Sequence, residues 1–143
     1  MIREAQASDL AGLLALYLSL HEESTPEMKA AEVVWTKIMA DENHHIIVAE
    51  EGGKLVSSCV CVTVFNLTRN LRPYALIENV VTAAEYRRRG LATGCLEYAK
   101  ELAQQKNCYK IMLLTGAKEE SILHFYRRAD YNSEDKTAFI QWL

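Results

Sequence analysis

Between Tyr74 and Leu114 the chain reads as strand, tight loop, helix and strand, and this order limits the folds open to it. Tyr74–Thr82 is an apolar, β-branched run. A helical pattern follows from about Leu91 to Gln105, with Leu91, Cys95, Tyr98 and Leu102 on its inner stripe. Tyr109–Leu114 is the second strand. Two strands joined through a helix form a right-handed parallel crossover. The loop between the first strand and the helix is Arg87-Arg88-Arg89-Gly90-Leu91-Ala92. The first N–H groups of a helix have no internal partners, and the macrodipole places partial positive charge there. Gly90 lets the backbone approach a bulky anion, and Ala92 keeps the next turn small. The loop therefore predicts a phosphate or pyrophosphate site. The plain alternative is a solvated run of arginines. No Gly-Lys-Ser/Thr follows, and only one glycine of a dinucleotide fingerprint is in place.

The rest of the chain builds a sheet around that unit. Ile2–Ala5 is a short first strand. Ser8 is placed to cap a helix with the stripe Leu10, Leu13, Leu14, Tyr17 and Leu18. Thr25-Pro26 reads as N-cap and first position of a second helix, continued by Met28, Ala31, Trp35 and Ile38. Ile46–Glu50 and Leu55–Phe65 form a hairpin across Glu51-Gly52-Gly53. Ile122, Phe125, Tyr126 and Ala129 make the inner face of a last helix, and Ala138–Leu143 reads as a closing strand. The fold class is α/β (α+β), a mixed sheet in the order β-α-α-β-β-β-α-β-α-β. Helices cover both faces. Ligands in such sheets sit at the C-terminal ends of parallel strands, where the arginine loop lies.

Composition narrows the function classes. A chain of 143 residues, 50 % hydrophobic and 24 % charged, is read as one domain spanning 1–143 with a real core. A net charge of −3 argues against general nucleic-acid binding, and no apolar stretch reaches a membrane span. The N-terminus does not read as a signal peptide. Cys59, Cys61, Cys95 and Cys108 form no CxxC pair, so buried free thiols in the cytoplasm are expected, with no metal site. Cys59 and Cys61 share one strand face. His44-His45 precede a strand and read as surface groups. His124 lies on the last helix.

Arg87-x-x-Gly90-x-Ala92 after a strand resembles the acyl-CoA pyrophosphate loop of the GNAT superfamily of N-acetyltransferases. Ile2-Arg3-x-Ala5 with Asp9 and Leu13 is similar to the start of these domains. Phe125-Tyr126-Arg127-Arg128-Ala129-Asp130-Tyr131 resembles their last helix and its exit. Element order matches too, so the resemblance spans essentially the whole chain. Ile77-Glu78-Asn79-Val80-Val81 and Asn107-Cys108-Tyr109-Lys110-Ile111 are similar to strands of glucosamine-6-phosphate N-acetyltransferase and its small relatives. Four positions depart from the pattern, the first being Ala92, which replaces a commoner glycine in a variant the family tolerates. Asp130 stands where glycine usually ends the helix, Glu119 where many members carry an asparagine, and Asn79 where the sugar-phosphate enzymes tend to have aspartate.

The resemblance implies transfer of an acetyl group from acetyl-CoA directly to a primary amine, with a small-molecule acceptor preferred and a homodimer plausible. The alternatives are a protein N-terminal or lysine acetyltransferase, and a non-catalytic acyl-CoA-binding regulatory domain. An alkylamine with pKa about 10.4 is almost wholly protonated at pH 7, so a base is needed. Glu78, nine residues before Arg87, is the candidate, as base or as substrate-positioning carboxylate. The resemblance places Tyr126 at the general acid. It assigns a backbone N–H near Val80 to the carbonyl oxygen, the segment Val80, Val81 and Thr82 to the pantetheine arm, and the N–H groups from Arg88 through Arg89, Gly90, Leu91 and Ala92 to Thr93 to the pyrophosphate. Arg87 or Arg89 is expected to reach a phosphate oxygen. Arg69 and Arg72 are candidate acceptor contacts for a phosphate or carboxylate, or solvated loop charges. Tyr109 and Tyr131 are read as packing residues.

Overall fold

A computed structural model describes residues 1–20 and 23–143. Its elements are β1 (Ile2–Glu4), α1 (Leu10–Tyr17), α2 (Met28–Ala40), β2 (His44–Glu51), β3 (Lys54–Val64), β4 (Tyr74–Thr82), α3 (Leu91–Gln105), β5 (Ile111–Leu113) and α4 (Glu120–Arg128). The strands form one sheet in the order β1-β2-β3-β4-β5. β1 to β4 pair antiparallel, and β4 pairs with β5 in parallel, as the crossover demanded. β2 turns into β3 through Gly52 and Gly53, at φ 56° and 77°. Positive φ at both turn residues matches the twist of the flanking strands, and glycine takes it without steric cost.

The sheet separates two cores. On one face Ile47, Ala49, Val56, Cys59, Cys61, Ala75 and Ile77 pack under Cys95, Leu96, Ala99 and Ala103 of α3. Phe125, Tyr126 and Ala129 of α4 join the same cluster. On the other face Ile46, Val48 and Val60 pack under Leu13 of α1 and Trp35 of α2. The Trp35 indole donates to the Ala7 carbonyl at 3.1 Å, so its polar edge is satisfied inside the core. Arg3 pins the N-terminus by bonding Asp9 at 2.5 Å and Glu50 at 2.7 Å. The guanidinium holds the Asp9 carboxyl below the usual carboxylate range. Among the described residues, no helix is long and apolar enough to cross a membrane.

Several boundaries differ from the sequence expectation, each for a local reason. α2 starts at Met28, because Glu27 accepts bonds from the N–H groups of Lys29 and Ala30 and takes the capping role expected of Thr25. Ser8 does not cap α1. Asp9 accepts from the Gln6 N–H at 2.7 Å and organises the preceding turn. The buried stripe of α3 is Cys95, Leu96, Ala99 and Ala103, leaving Leu91, Tyr98 and Leu102 at its margin. His44 and His45 are the half-buried first residues of β2, with His45 Nδ1 2.8 Å from Glu4. Tyr109 lies outside β5 and packs edge-on against Tyr74. The expected closing strand is absent: residues 138–143 run without a strand partner, because β5 stays the edge of the sheet.

Candidate active site

Two irregularities in β4 create an opening in the sheet. β4 and β5 pair only at Ala75–Ile111, Leu76–Met112 and Ile77–Leu113. From Glu78 onward the β5 side of β4 is unpaired. At the same point the β3–β4 register slips, pairing Val60 with Glu78 and Ser58 with Val81. Cys59 therefore faces both Asn79 and Val80, a β-bulge with Asn79 at φ 51°. Asparagine tolerates this left-handed backbone better than most residues. The family resemblance implies a splayed strand near Val80, and the bulge at Asn79 is a further feature beside it. The only signal for it was an asparagine inside a β-branched strand.

β4 then leads through the turn Ala84–Tyr86 into the arginine loop. Gly90 sits at φ 80°, with no heavy atom within 4 Å of where a Cβ would stand. The first helical bond is Gly94 N–H to Gly90 O at 2.9 Å, which leaves the N–H groups of Leu91, Ala92 and Thr93 at the open end of α3. The three arginines have separate fates. Arg87 Nε donates to the Thr82 carbonyl at 3.2 Å. Arg89 donates to the Glu85 carbonyl at 2.9 Å, lies 3.6 Å from Glu51, and stacks over the Tyr86 ring. Arg88, at φ 60°, has no side-chain bond among the described residues. Arg87 spends only its Nε, so it too keeps donors for a phosphate oxygen.

Glu78 and Tyr126 belong to opposite faces of the sheet. Glu78 is exposed and pairs with Val60, whose side chain belongs to the α1/α2 core, so Glu78 projects to that face. Tyr126 belongs to the α3/α4 core, its ring 5.0 Å from Phe125 and 6.3 Å from Tyr131. Its hydroxyl makes no hydrogen bond among the described residues, and burial pushes its pKa up. Asp130 ends the helix region at φ 66°, adopting the backbone the family usually gives to glycine.

Beside Asn79, on the Glu78 face, lies a cleft of about 370 Å³ lined by Leu14, Tyr17, Leu20, Ser24, Thr25, Pro26 and Asn79. Tyr17, read from sequence as a packing residue, forms part of it. Its hydroxyl is buried near Ser58 and Asn79 and closes no hydrogen bond among the described residues. Burial raises its pKa to about 12, so it keeps its proton.

Arg69 and Arg72 are elsewhere. Arg72 donates to the carbonyls of Asn107 and Cys108 at 3.1 and 3.0 Å, tying the start of β4 to the turn before β5. Arg69 lies over the Tyr109 ring. Both stand at the end of β4 opposite the arginine loop. Arg72→Ala should therefore leave the acceptor KM unchanged and lower the melting temperature by about 3 °C, for a loss of about 1 kcal/mol. Parallel kinetics and thermal unfolding check this.

The thiols are poor nucleophiles. Cys59, Cys61 and Cys95 are buried. Burial raises the pKa of Cys61 and Cys95 to about 11 and that of Cys59 further.

The profile of the acetyltransferase (GNAT) family matches residues 10–131. A putative acetyltransferase from Agrobacterium tumefaciens str. C58 is 37 % identical and superposes with a TM-score of 0.89 over 99 % of both chains. Glucosamine-6-phosphate N-acetyltransferase from Arabidopsis thaliana shares the fold, with a TM-score of 0.88 at 20 % identity over 99 % of this chain and 97 % of that one. Streptothricin acetyltransferase A of Bacillus subtilis (strain 168) is 30 % identical over 92 residues, 62 % of this chain and 53 % of that protein. The match thus spans about half the length of that curated relative.

Proposed function

The chain belongs to the GNAT family of acetyltransferases, and from that premise we propose that it moves the acetyl group of acetyl-CoA to a primary amine of a small molecule. One observation carries the reading. β4 loses β5 at the Asn79 bulge and runs on into the free N–H groups of α3, so an open strand edge and an anion site lie in line. A long ligand with an extended arm and a pyrophosphate matches that pairing of features. Acetyl-CoA, when bound, supplies an activated thioester.

This chain's residues supply the rest. Val80, Val81 and Thr82 offer backbone groups to the pantetheine arm, in the manner of an added strand. The N–H groups of Leu91, Ala92 and Thr93, with the Arg88 guanidinium and the Arg87–Gly90 backbone, hold the pyrophosphate. The Val80 N–H is the donor for the carbonyl oxygen. Glu78 takes the proton of the acceptor ammonium on its carboxylate, directly or through water. Tyr126 donates its hydroxyl proton toward the sulfur. A raised pKa makes it a weaker acid than free tyrosine, so it acts by hydrogen-bond donation rather than by full transfer. Transfer is direct, because the buried thiols hold their protons.

The cleft beside Asn79 supports the acceptor class. Its described lining is apolar and hydroxylic apart from the Asn79 amide, and it carries no charged side chain. Such walls suit a neutral or amphipathic amine better than a phosphorylated one. We assign the protein to the cytoplasm, as one N-acetyltransferase domain that works as a homodimer.

Calorimetric titration with acetyl-CoA, followed by a thiol-release screen over amines, tests the reading. Saturable binding and turnover of a small amine are expected. A folded protein that binds no acetyl-CoA removes it. Glu78→Gln should lower turnover about 100-fold at pH 7. The deficit should shrink as pH rises and the amine loses its own proton. A deficit constant across pH would make Glu78 a positioning group instead of the base.

A further inference from the structure

Among the described residues, three buried side-chain polar atoms close no hydrogen bond, and two of them stand together. These are the Tyr17 hydroxyl on α1 and the Ser58 Oγ on β3, with Asn79 beside them. Ser58 is wholly buried. It alternates with Val60 and Val62, which pack toward α1 and α2, so it faces those helices. Its neighbour Ser57 shares the opposite face with Cys59 and Cys61 and finds partners there. Ser57 donates to the Val81 carbonyl at 2.8 Å and lies 2.8 Å from the Thr82 hydroxyl. Buried hydroxyls are ordinarily paired in this way, and an unpaired one costs stability. Two unpaired at a single place point to a partner from outside the chain.

That place adjoins the cleft on the Glu78 face. Tyr17 and the exposed Asn79 both line the cleft, and Leu14, Leu20 and Pro26 give it apolar walls. Asn79 stands between Glu78, assigned to the acceptor nitrogen, and Val80, assigned to the carbonyl oxygen. One residue of strand rises about 3.3 Å, close to the separation of a nitrogen and an oxygen on adjacent carbons. Tyr17 keeps its proton and so donates, while Ser58 both donates and accepts. A ligand hydroxyl can accept from the first and donate to the second. A bare hydrocarbon can do neither.

We propose that Tyr17 and Ser58 are specificity-determining residues for the acceptor. They take up a hydroxyl on the carbon next to the amine-bearing one, in a molecule whose remaining body is apolar. The ligand reaches them by turning the exposed Asn79 side chain aside. This deepens the acetyl-transfer reading and rests on it for the role of the amine. A site built to pair a substrate hydroxyl discriminates against the analogue that lacks it, because its buried groups are then left unpaired.

Hexylamine and the same amine hydroxylated at its second carbon differ by that one group. Both are measured as acceptors, by kcat/KM with acetyl-CoA, and as ligands, by calorimetric titration of the chain alone. The parent should favour the amino alcohol by at least about 10-fold in both. Tyr17→Phe should reduce that ratio to about 2-fold or less, through KM rather than kcat. It should not lower the melting temperature, since the hydroxyl it removes has no partner among the described residues. Ser58→Ala should narrow the ratio as well. A parent that does not distinguish the two amines, or that takes up neither, would overturn the proposal. So would a preference that survives both substitutions, as it would if each lowered both amines equally through a merely structural role. Tighter binding of the amino alcohol without turnover would keep the hydroxyl site and remove the acetyl-transfer reading. Turnover of both amines at equal kcat/KM would do the reverse.

Discussion

Tyr126→Phe should lower kcat about 100- to 1,000-fold while leaving the affinity for acetyl-CoA unchanged. The substitution removes one oxygen. The ring keeps its contacts with Phe125 and Tyr131, and the lost hydroxyl had no hydrogen-bond partner among the described residues. Folding stability should therefore stay within about 0.5 kcal/mol of the parent. On the proposed mechanism the variant loses the hydrogen-bond donor assigned to the departing sulfur, and one preorganised donor contributes about 100- to 1,000-fold. Burial raises the Tyr126 pKa, so its proton persists to higher pH than in free tyrosine. Any alkaline fall in kcat that belongs to this hydroxyl should then lie above about pH 10 in the parent and be missing in the variant. Steady-state kinetics beside calorimetry separates the two quantities. An unchanged kcat would remove Tyr126 from the chemistry.

Gly90→Glu should abolish acetyl-CoA binding, weakening it by at least about 100-fold, or about 2.7 kcal/mol. Two effects combine. Gly90 holds φ 80°, where a residue with a Cβ is strained by about 1–2 kcal/mol. A carboxylate at the N-terminus of α3 also competes for the N–H groups and the Arg88 field that the pyrophosphate needs. Open space around the missing Cβ means the larger side chain meets no wall, so the protein should still fold. Gly90→Ala separates the terms. It carries the backbone strain without the charge and should cost under about 10-fold. Equal losses in both variants would place the effect in the backbone alone.

The parts of this molecule legible in its sequence are those governed by local pattern. β4 and α3 were bounded correctly because β-branched alternation, an arginine-glycine loop and a helical stripe adjoin without overlap. Gly90 was legible for the same reason, since a glycine between strand and helix has few other uses. The features that escaped depend on partners distant in sequence or absent from the chain. Arg72 read as a candidate ligand contact, and its true partners are backbone carbonyls at Asn107 and Cys108. Carbonyls leave no mark in a sequence. Tyr17 read as one more residue of an apolar stripe, and only the fold shows its hydroxyl beneath the cleft. The start of α2 turned on whether Thr25 or Glu27 reached the first N–H groups, a contest decided by geometry. Strand character at 138–143 was legible, but the segment pairs with no strand of its own chain among the described residues.

The cysteines have a practical corollary. Free coenzyme A is conveniently measured by its thiol, with a coloured aromatic disulfide, and an enzyme's own thiols normally add background. Here three of the four are shut inside the core, with their thiolate forms suppressed well beyond neutral pH. Cys108 is partly buried, and its pKa is raised as well. The native protein should consume almost none of the reagent, and a burst of roughly four equivalents on adding denaturant would count the same thiols as they emerge. One reagent then reports two things: turnover while the fold is intact, and the moment at which it is lost.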